Sequence, residues 1–147
     1  MKDLMIIDLS KYFHNVTETL NNYRALSAFC ECAIEQITWN INGVLIPTRL
    51  MCNAESALTT ADIKAQIDMS LERYEAECVL RKEDRKFNII RFKYIQEPGK
   101  GKENKPYTNE DLSDYFDCSM KTIERDVRQA KSELKIYFFG VDRINRT

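Results

Sequence analysis

Residues 107–134 constrain the fold more than any other part of this chain, because they encode two capped helices with almost no room between them. Thr108 can accept a hydrogen bond from the free amides of a first turn. Asp111, three residues on, completes a capping-box-like pair, and Glu110 places acid at the positive end of the helix dipole. A first helix over about 109–116 follows, burying Leu112 with Tyr115 or Phe116. Asp117-Cys118 breaks it, and Ser119 caps a second helix. There Ile123, Val127, Ala130 and Leu134 recur at steps of four, three and four, the spacing of one buried stripe. The opposite face carries Lys121, Thr122, Glu124, Arg125, Arg128 and Lys131. A helix with a dry stripe and a basic, hydrogen-bonding outer face has the shape and chemistry to lie in a DNA major groove. Glu124 and Asp126 add acid to the same helix, which phosphate would disfavour. A solvated helical hairpin would show the same pattern.

The rest of the chain also reads as helical. Four glycines and three prolines among 147 residues leave few breakers, and 44% hydrophobic with 31% charged residues suits a folded domain. Leu4, Ile7 and Tyr12 fit a short helix or a strand. Leu20, Tyr23, Leu26 or Ser27, Cys30, Ile34 and Ile37 predict one helix over 16–38. Asn42-Gly43, between two apolar runs, fits a hairpin turn across 38–46 or, through Gly43, a helix end. Residues 47–57 read as a connection. Thr59 or Thr60 caps a second long helix whose stripe is Ile63, Ile67, Leu71, Tyr74 and Cys78 and which reaches Arg81. Residues 87–95 are too short a run for periodicity to decide, and context favours helix. Gln96 to Pro106, with Pro98-Gly99, Gly101 and three lysines, has the composition of an exposed basic loop.

Charge divides the chain. Residues 1–80 hold 6 Lys and Arg against 11 Asp and Glu, a net of −5; residues 81–147 hold 16 against 12, a net of +4. A basic half can face phosphate while an acidic half faces away or meets a protein. The five cysteines have no paired spacing and read as reduced small hydrophobes. Cys30-Glu31-Cys32 lacks the second pair that a zinc site needs, and His14 is the only histidine. No metal or other cofactor is therefore expected. The apolar runs are too short to span a membrane and the start lacks a signal-peptide pattern, so a cytoplasmic location is expected. Catalytic signatures are missing as well: no Gly-rich phosphate loop, no nucleophile elbow and no histidine pair. Asp111, Asp114 and Asp117 recur every three residues, a pattern open to a two-metal nuclease reading, but acid there is explained by a helix start. An enzyme is not expected.

The stretch from Thr108 through Leu134 resembles the DNA-reading helix-turn-helix of region four of bacterial sigma factors. The shared features are an acidic first helix, a short turn, a capping Ser, an apolar residue four positions later and a downstream Ala. With the aromatic end Ile136-Tyr137-Phe138-Phe139-Gly140, the last 60 or so residues are similar to the ArpU and RinA type of phage late-gene regulators. The turn departs from that pattern, with Asp117-Cys118 where a Gly and a Val-like residue are usual. The resemblance implies base-edge contacts from Lys121, Thr122, Glu124 and Arg125, with Ser119, Arg128 and Lys131 nearer the backbone.

The expectation is an all-α chain: an N-terminal helical region over 1–80, able to dimerise or bind a partner, and a sigma region-four-like DNA-binding domain over 81–147. It would act in a bacterial host as a transcription regulator on double-stranded DNA, an activator of phage late genes working with host RNA polymerase, with a homodimer reading two half-sites. Two other classes fit the same residues. One is a protein-interaction module that binds polymerase or another regulator without touching DNA; the other is a phage DNA-packaging adaptor.

Overall fold

In residues 7–31, 48–96 and 107–140, which a computed structural model of the chain describes, apolar spacing becomes helix joined by short turns. Asp8 caps a single 3-10 turn at Leu9–Lys11, its carboxylate accepting from the Ser10 amide at 3.0 Å. Helix α1, Val16–Asn21, is capped by Asn15, whose side-chain oxygen accepts from the Glu18 amide at 2.8 Å. The single helix expected from residue 16 is interrupted at Asn22. There the side-chain amide donates to the Glu18 carbonyl at 2.8 Å, competing with the helical ladder as Asn side chains do. The ladder restarts when the Leu26 amide donates to the Asn22 carbonyl, and helix α2 occupies residues 23–31. Ile34, Ile37 and the hairpin-or-helix-end alternatives at 38–46 lie outside the described residues.

Helix α3 corrects a second expectation. It spans Thr48–Leu80, so residues 48–57 of the expected connection are helix, and Thr59 and Thr60 lie well inside the helix rather than at its start. Residues 48–58 contain neither Gly nor Pro, so nothing opposes helix before the two threonines, and a capping residue marks a start only where helix is otherwise resisted. At 33 residues it is about 50 Å long. It ends without glycine: Lys82 takes the left-handed conformation (φ 61°), the Glu83 amide returns to the Cys78 carbonyl at 2.7 Å and the Lys82 amide to that of Val79 at 3.1 Å.

Helix α4, Asp84–Ile90, continues into one wide π turn, Arg91–Ile95, closed by the Gln96 amide on the Arg91 carbonyl at 2.7 Å. The extra residue in that turn redistributes its side chains. Phe92 joins one core, and Tyr94 and Ile95 pack against another. Helices α5, Asn109–Phe116, and α6, Met120–Phe139, complete the fold. Every element among the described residues is helical, and none of their helices is long and apolar enough to cross a membrane. Residues 97–106 of the expected basic loop lie outside those described.

Two buried clusters hold these helices. The larger joins Leu9, Val16 and Leu20 to Ile67 and Tyr74 of α3, Ile90 of α4, and Ala130, Leu134 and Phe138 of α6. Residues from both sides of position 80 therefore share one core. The smaller consists of Ile89, Leu112, Ile123 and Val127, bordered by Phe92, Tyr107, Phe116 and Cys118. Helix α6 belongs to both.

Polar bonds orient α6 on its neighbours. Glu133 accepts from the Tyr74 hydroxyl at 2.7 Å and from Lys86 Nζ at 3.1 Å, tying α6 to α3 and α4 at one carboxylate. Glu83 takes the other side of Lys86 at 2.9 Å. The Ser70 hydroxyl lies 3.0 Å from the Gln66 carbonyl and 2.9 Å from the Tyr137 carbonyl near the end of α6, and its one proton serves either of them.

Candidate nucleic-acid interface

The two-helix unit begins at a complete capping box. The Asp111 amide donates to Thr108 Oγ1 at 3.1 Å and the Thr108 amide donates to Asp111 Oδ2 at 3.0 Å. Each satisfies a donor that a helix start would otherwise leave unpaired. One turn later Leu112 is fully buried. Phe116 packs at the edge of the small core, whereas Tyr115 is 68% exposed, which decides between the two aromatics.

Helix α5 ends at Asp117, which is left-handed (φ 53°, ψ 53°), with the amides of Asp117 and Cys118 both returning to the Ser113 carbonyl. This accounts for the departure from glycine in the turn: Asp enters this region more readily than most residues because its short polar side chain can bond locally. Ser119 then caps α6, accepting from the Thr122 amide at 3.1 Å, with the two hydroxyls 3.0 Å apart.

Helix α6 is about 30 Å long, and Ile123, Val127, Ala130 and Leu134 form its buried stripe. Lys121, Glu124, Arg125 and Arg128 are exposed on the far face. Thr122 and Lys131 are half-buried on opposite edges, and Ser119 stands exposed at the amino end. The seven residues singled out from sequence therefore share one helix and its cap. Their roles differ, because the Ser119 and Thr122 hydroxyls are engaged with each other while Lys131 Nζ lies 5.1 Å from the centroid of the Tyr94 ring.

Asp126 departs from the sequence reading, which placed its charge on the surface that would meet phosphate. It is 4% exposed and turned inward, where its Oδ2 accepts from Arg85 Nε of α4 at 2.8 Å; Oδ1 lies 3.8 Å from Arg125 Nη2. Only Glu124 leaves acid on the outer face of the first three turns. The Asp126 carboxylate thus holds the Arg85 guanidinium and lies beside that of Arg125 at one edge of the helix.

Sequence reasoning missed Arg85 and also Lys93, whose Nζ donates to Asn109 Oδ1 at 2.8 Å at the start of α5. No local pattern could reveal either, since both are brought to α5 and α6 by the packing of α4 and its π turn. Among the described residues no group of three or more His, Cys, Asp or Glu is arranged to hold a metal ion, and Cys30, Cys78 and Cys118 are free thiols. No protein-family model, curated protein or solved structure matches the chain.

Proposed function

We propose that the chain is a sequence-specific DNA-binding transcription regulator that lays α6 in the major groove of double-stranded DNA. The observation that carries this reading is the outer face of α6. Lys121, Glu124, Arg125 and Arg128 stand exposed together on a helix whose opposite side is packed along its length and whose start is fixed by a three-residue turn from α5. Arg125 has the donors to take both acceptors of a guanine edge, and Glu124 can accept from a cytosine amine. In this reading Arg128 and Lys131 meet phosphate, which positions the helix without reading sequence. Activation of phage late genes through host RNA polymerase rests on the resemblance to sigma region four and to the ArpU and RinA type. The reading assigns the chain no catalytic step.

Selection from a genomic fragment library at two salt concentrations, with Arg125→Ala alongside the native chain, tests it. Enrichment of one promoter-proximal site, weakened by salt and by the substitution, is the expected result. Enrichment of nothing at either salt sinks the proposal. The second reading, a module that binds protein instead, draws on Tyr115 and Met120, large apolar side chains exposed at 68% and 46% beside the same turn. It predicts that Tyr115→Ser abolishes activity while charge reversal at Arg125 and Arg128 leaves it intact.

A further inference from the structure

The cations of this fold divide by the partner that holds them. Lys64, Arg81, Arg85, Lys86, Arg91 and Arg125 each lie within 4.0 Å of a carboxylate, which offsets part of their charge. Arg24, Lys93 and Lys131 are held by neutral groups instead. Arg24 donates from Nε to the Gln96 carbonyl at 3.0 Å and from Nη2 to the Phe92 carbonyl at 3.2 Å, closing the end of the π turn. Lys93 is held by the Asn109 amide oxygen, and Lys131 by the face of Tyr94. A neutral partner fixes a cation's position and leaves its charge to act outward.

These three also adjoin one another. Lys93 Nζ lies 5.9 Å from the centroid of the same Tyr94 ring that Lys131 covers. Arg24, Lys93 and Tyr94, with Tyr107, line a cleft of about 260 Å³ between the end of α1, the π turn and the approach to α5. Tyr94 thus belongs both to the edge of α6 and to the wall of the cleft. A second cleft, of about 220 Å³, has the opposite character: Asp68, Glu72 and Glu75 line it beside Arg91, and it would repel an anion.

We propose that the basic cleft is a second anchorage for the sugar-phosphate backbone of the duplex that α6 reads, on a track running from Lys131 across Tyr94 to Lys93 and Arg24. The inference rests on the DNA-binding reading of α6. Phosphate suits the cleft better than a stacked base does. The Tyr94 face already carries lysine and the Tyr107 ring packs on Phe92 with centroids 5.4 Å apart, so the rings offer their hydroxyls more readily than their faces. Tyrosine hydroxyls, arginine and lysine are among the usual donors to phosphate oxygens. Through Arg24 the acidic amino-terminal half gains a direct part in binding.

The contacts are independent of base sequence, so a fluorescein-labelled duplex of mixed sequence serves as the probe. Anisotropy titrations of the full chain over a range of salt concentrations give the slope of log K against log salt. Each neutralised phosphate contributes about 0.9 to that slope. Lys93→Gln is expected to lower it by about one, and Arg24→Gln with Lys93→Gln by about two. Arg73→Gln, which removes the same charge from an exposed position on α3, leaves it unchanged. The single Lys93 substitution decides the matter even if loss of the Arg24 cap unfolds the double variant. If Arg128→Ala lowers the slope while Lys93→Gln matches Arg73→Gln, the track is wrong and the reading of α6 stands. If the native chain shows no salt-dependent binding to duplex, the reading of α6 fails and takes this inference with it.

Discussion

The two halves of α6 carry one continuous apolar stripe but perform different work. Over its first three turns the stripe meets only the small cluster of Ile89, Leu112 and flanking aromatics, and the opposite face stands open with Lys121, Arg125 and Arg128. Over its last turns Ala130, Leu134 and Phe138 enter the large core shared with α1, α3 and α4, while Ser70, Tyr74 and Lys86 hold its polar groups. One half presents side chains and the other fixes where they point. The two-helix unit of α5 and α6 has only the small cluster behind it, and the distal half of α6 ties it to the large core. This division predicts that damage to the distal half lowers stability and binding together, whereas damage to the proximal outer face lowers binding alone.

The largest expected effect is in the distal half. Leu134 is fully buried in the large core, so Leu134→Ala should cost about 2–5 kcal/mol of unfolding free energy in a denaturant titration. If α6 reads DNA as proposed, affinity should fall with it at temperatures where the variant is partly unfolded. A stable variant would mean that the distal half does not anchor the helix.

Arg85→Ala comes next. It leaves the Asp126 carboxylate, 5% exposed, without its closest partner, and an unsatisfied buried acceptor costs about 1–3 kcal/mol. Arg85 itself is 43% exposed, so water screens the pair and the lower end of that range applies. Adding Asp126→Asn should restore most of the loss, because the buried charge is then gone. No recovery in the double variant would show that Arg85 stabilises by packing instead. On the open face, by contrast, Arg125→Ala should leave the unfolding midpoint where it is and weaken cognate binding by about 1–3 kcal/mol, with relaxed preference at one base pair.

The polar clamp of the distal half adds a pH signature. Burial pushes the Tyr74 hydroxyl well above its ordinary range, and its hydrogen bond to Glu133 adds to the shift. For Lys86, burial works against the charged form, but the bonds to Glu83 and Glu133 outweigh it and the net shift is upward. Both groups therefore hold their protons more tightly folded than unfolded. The stabilisation is fully present below the unfolded values, near 10 for Tyr and 10.4 for Lys, and is lost as pH rises beyond them. Urea midpoints should hold up to about pH 10 and fall as pH rises above it, and Tyr74→Phe should make that fall shallower. An unchanged slope would remove Tyr74 from the clamp.

What was legible in the sequence follows the same division. The open half was readable because its determinants are local: Thr108 with Asp111, Ser119, and a stripe at three- and four-residue steps all act within one helix or its cap. The all-helical class was readable for the same reason. The start of α3 and the break at Asn22 were not, because Thr59 and Thr60 mimic a cap that the preceding residues do not need, and the Asn22 side chain adds a bond to the Glu18 carbonyl that apolar spacing does not show. The inward turn of Asp126 and the placement of Arg85, Lys93 and Arg24 depend on contacts between elements far apart in sequence, such as Arg24 with Gln96. Periodicity carries no information about these.

The joint between α5 and α6 carries a pair of effects of which the Asp117→Gly change is the smallest of all. Asp117 holds a left-handed conformation that costs an ordinary L-residue about 1–2 kcal/mol, and β-branching makes it worse. Asp117→Val should therefore lower stability by about that much. Asp117→Gly relieves the residual strain but leaves the unfolded chain more freedom to lose, so the two terms oppose and the net gain stays below about 1 kcal/mol. Thermal unfolding of the two variants separates the contributions. If Asp117→Val is neutral, the turn is not held in this conformation in solution, and the angle at which α6 is offered cannot depend on it.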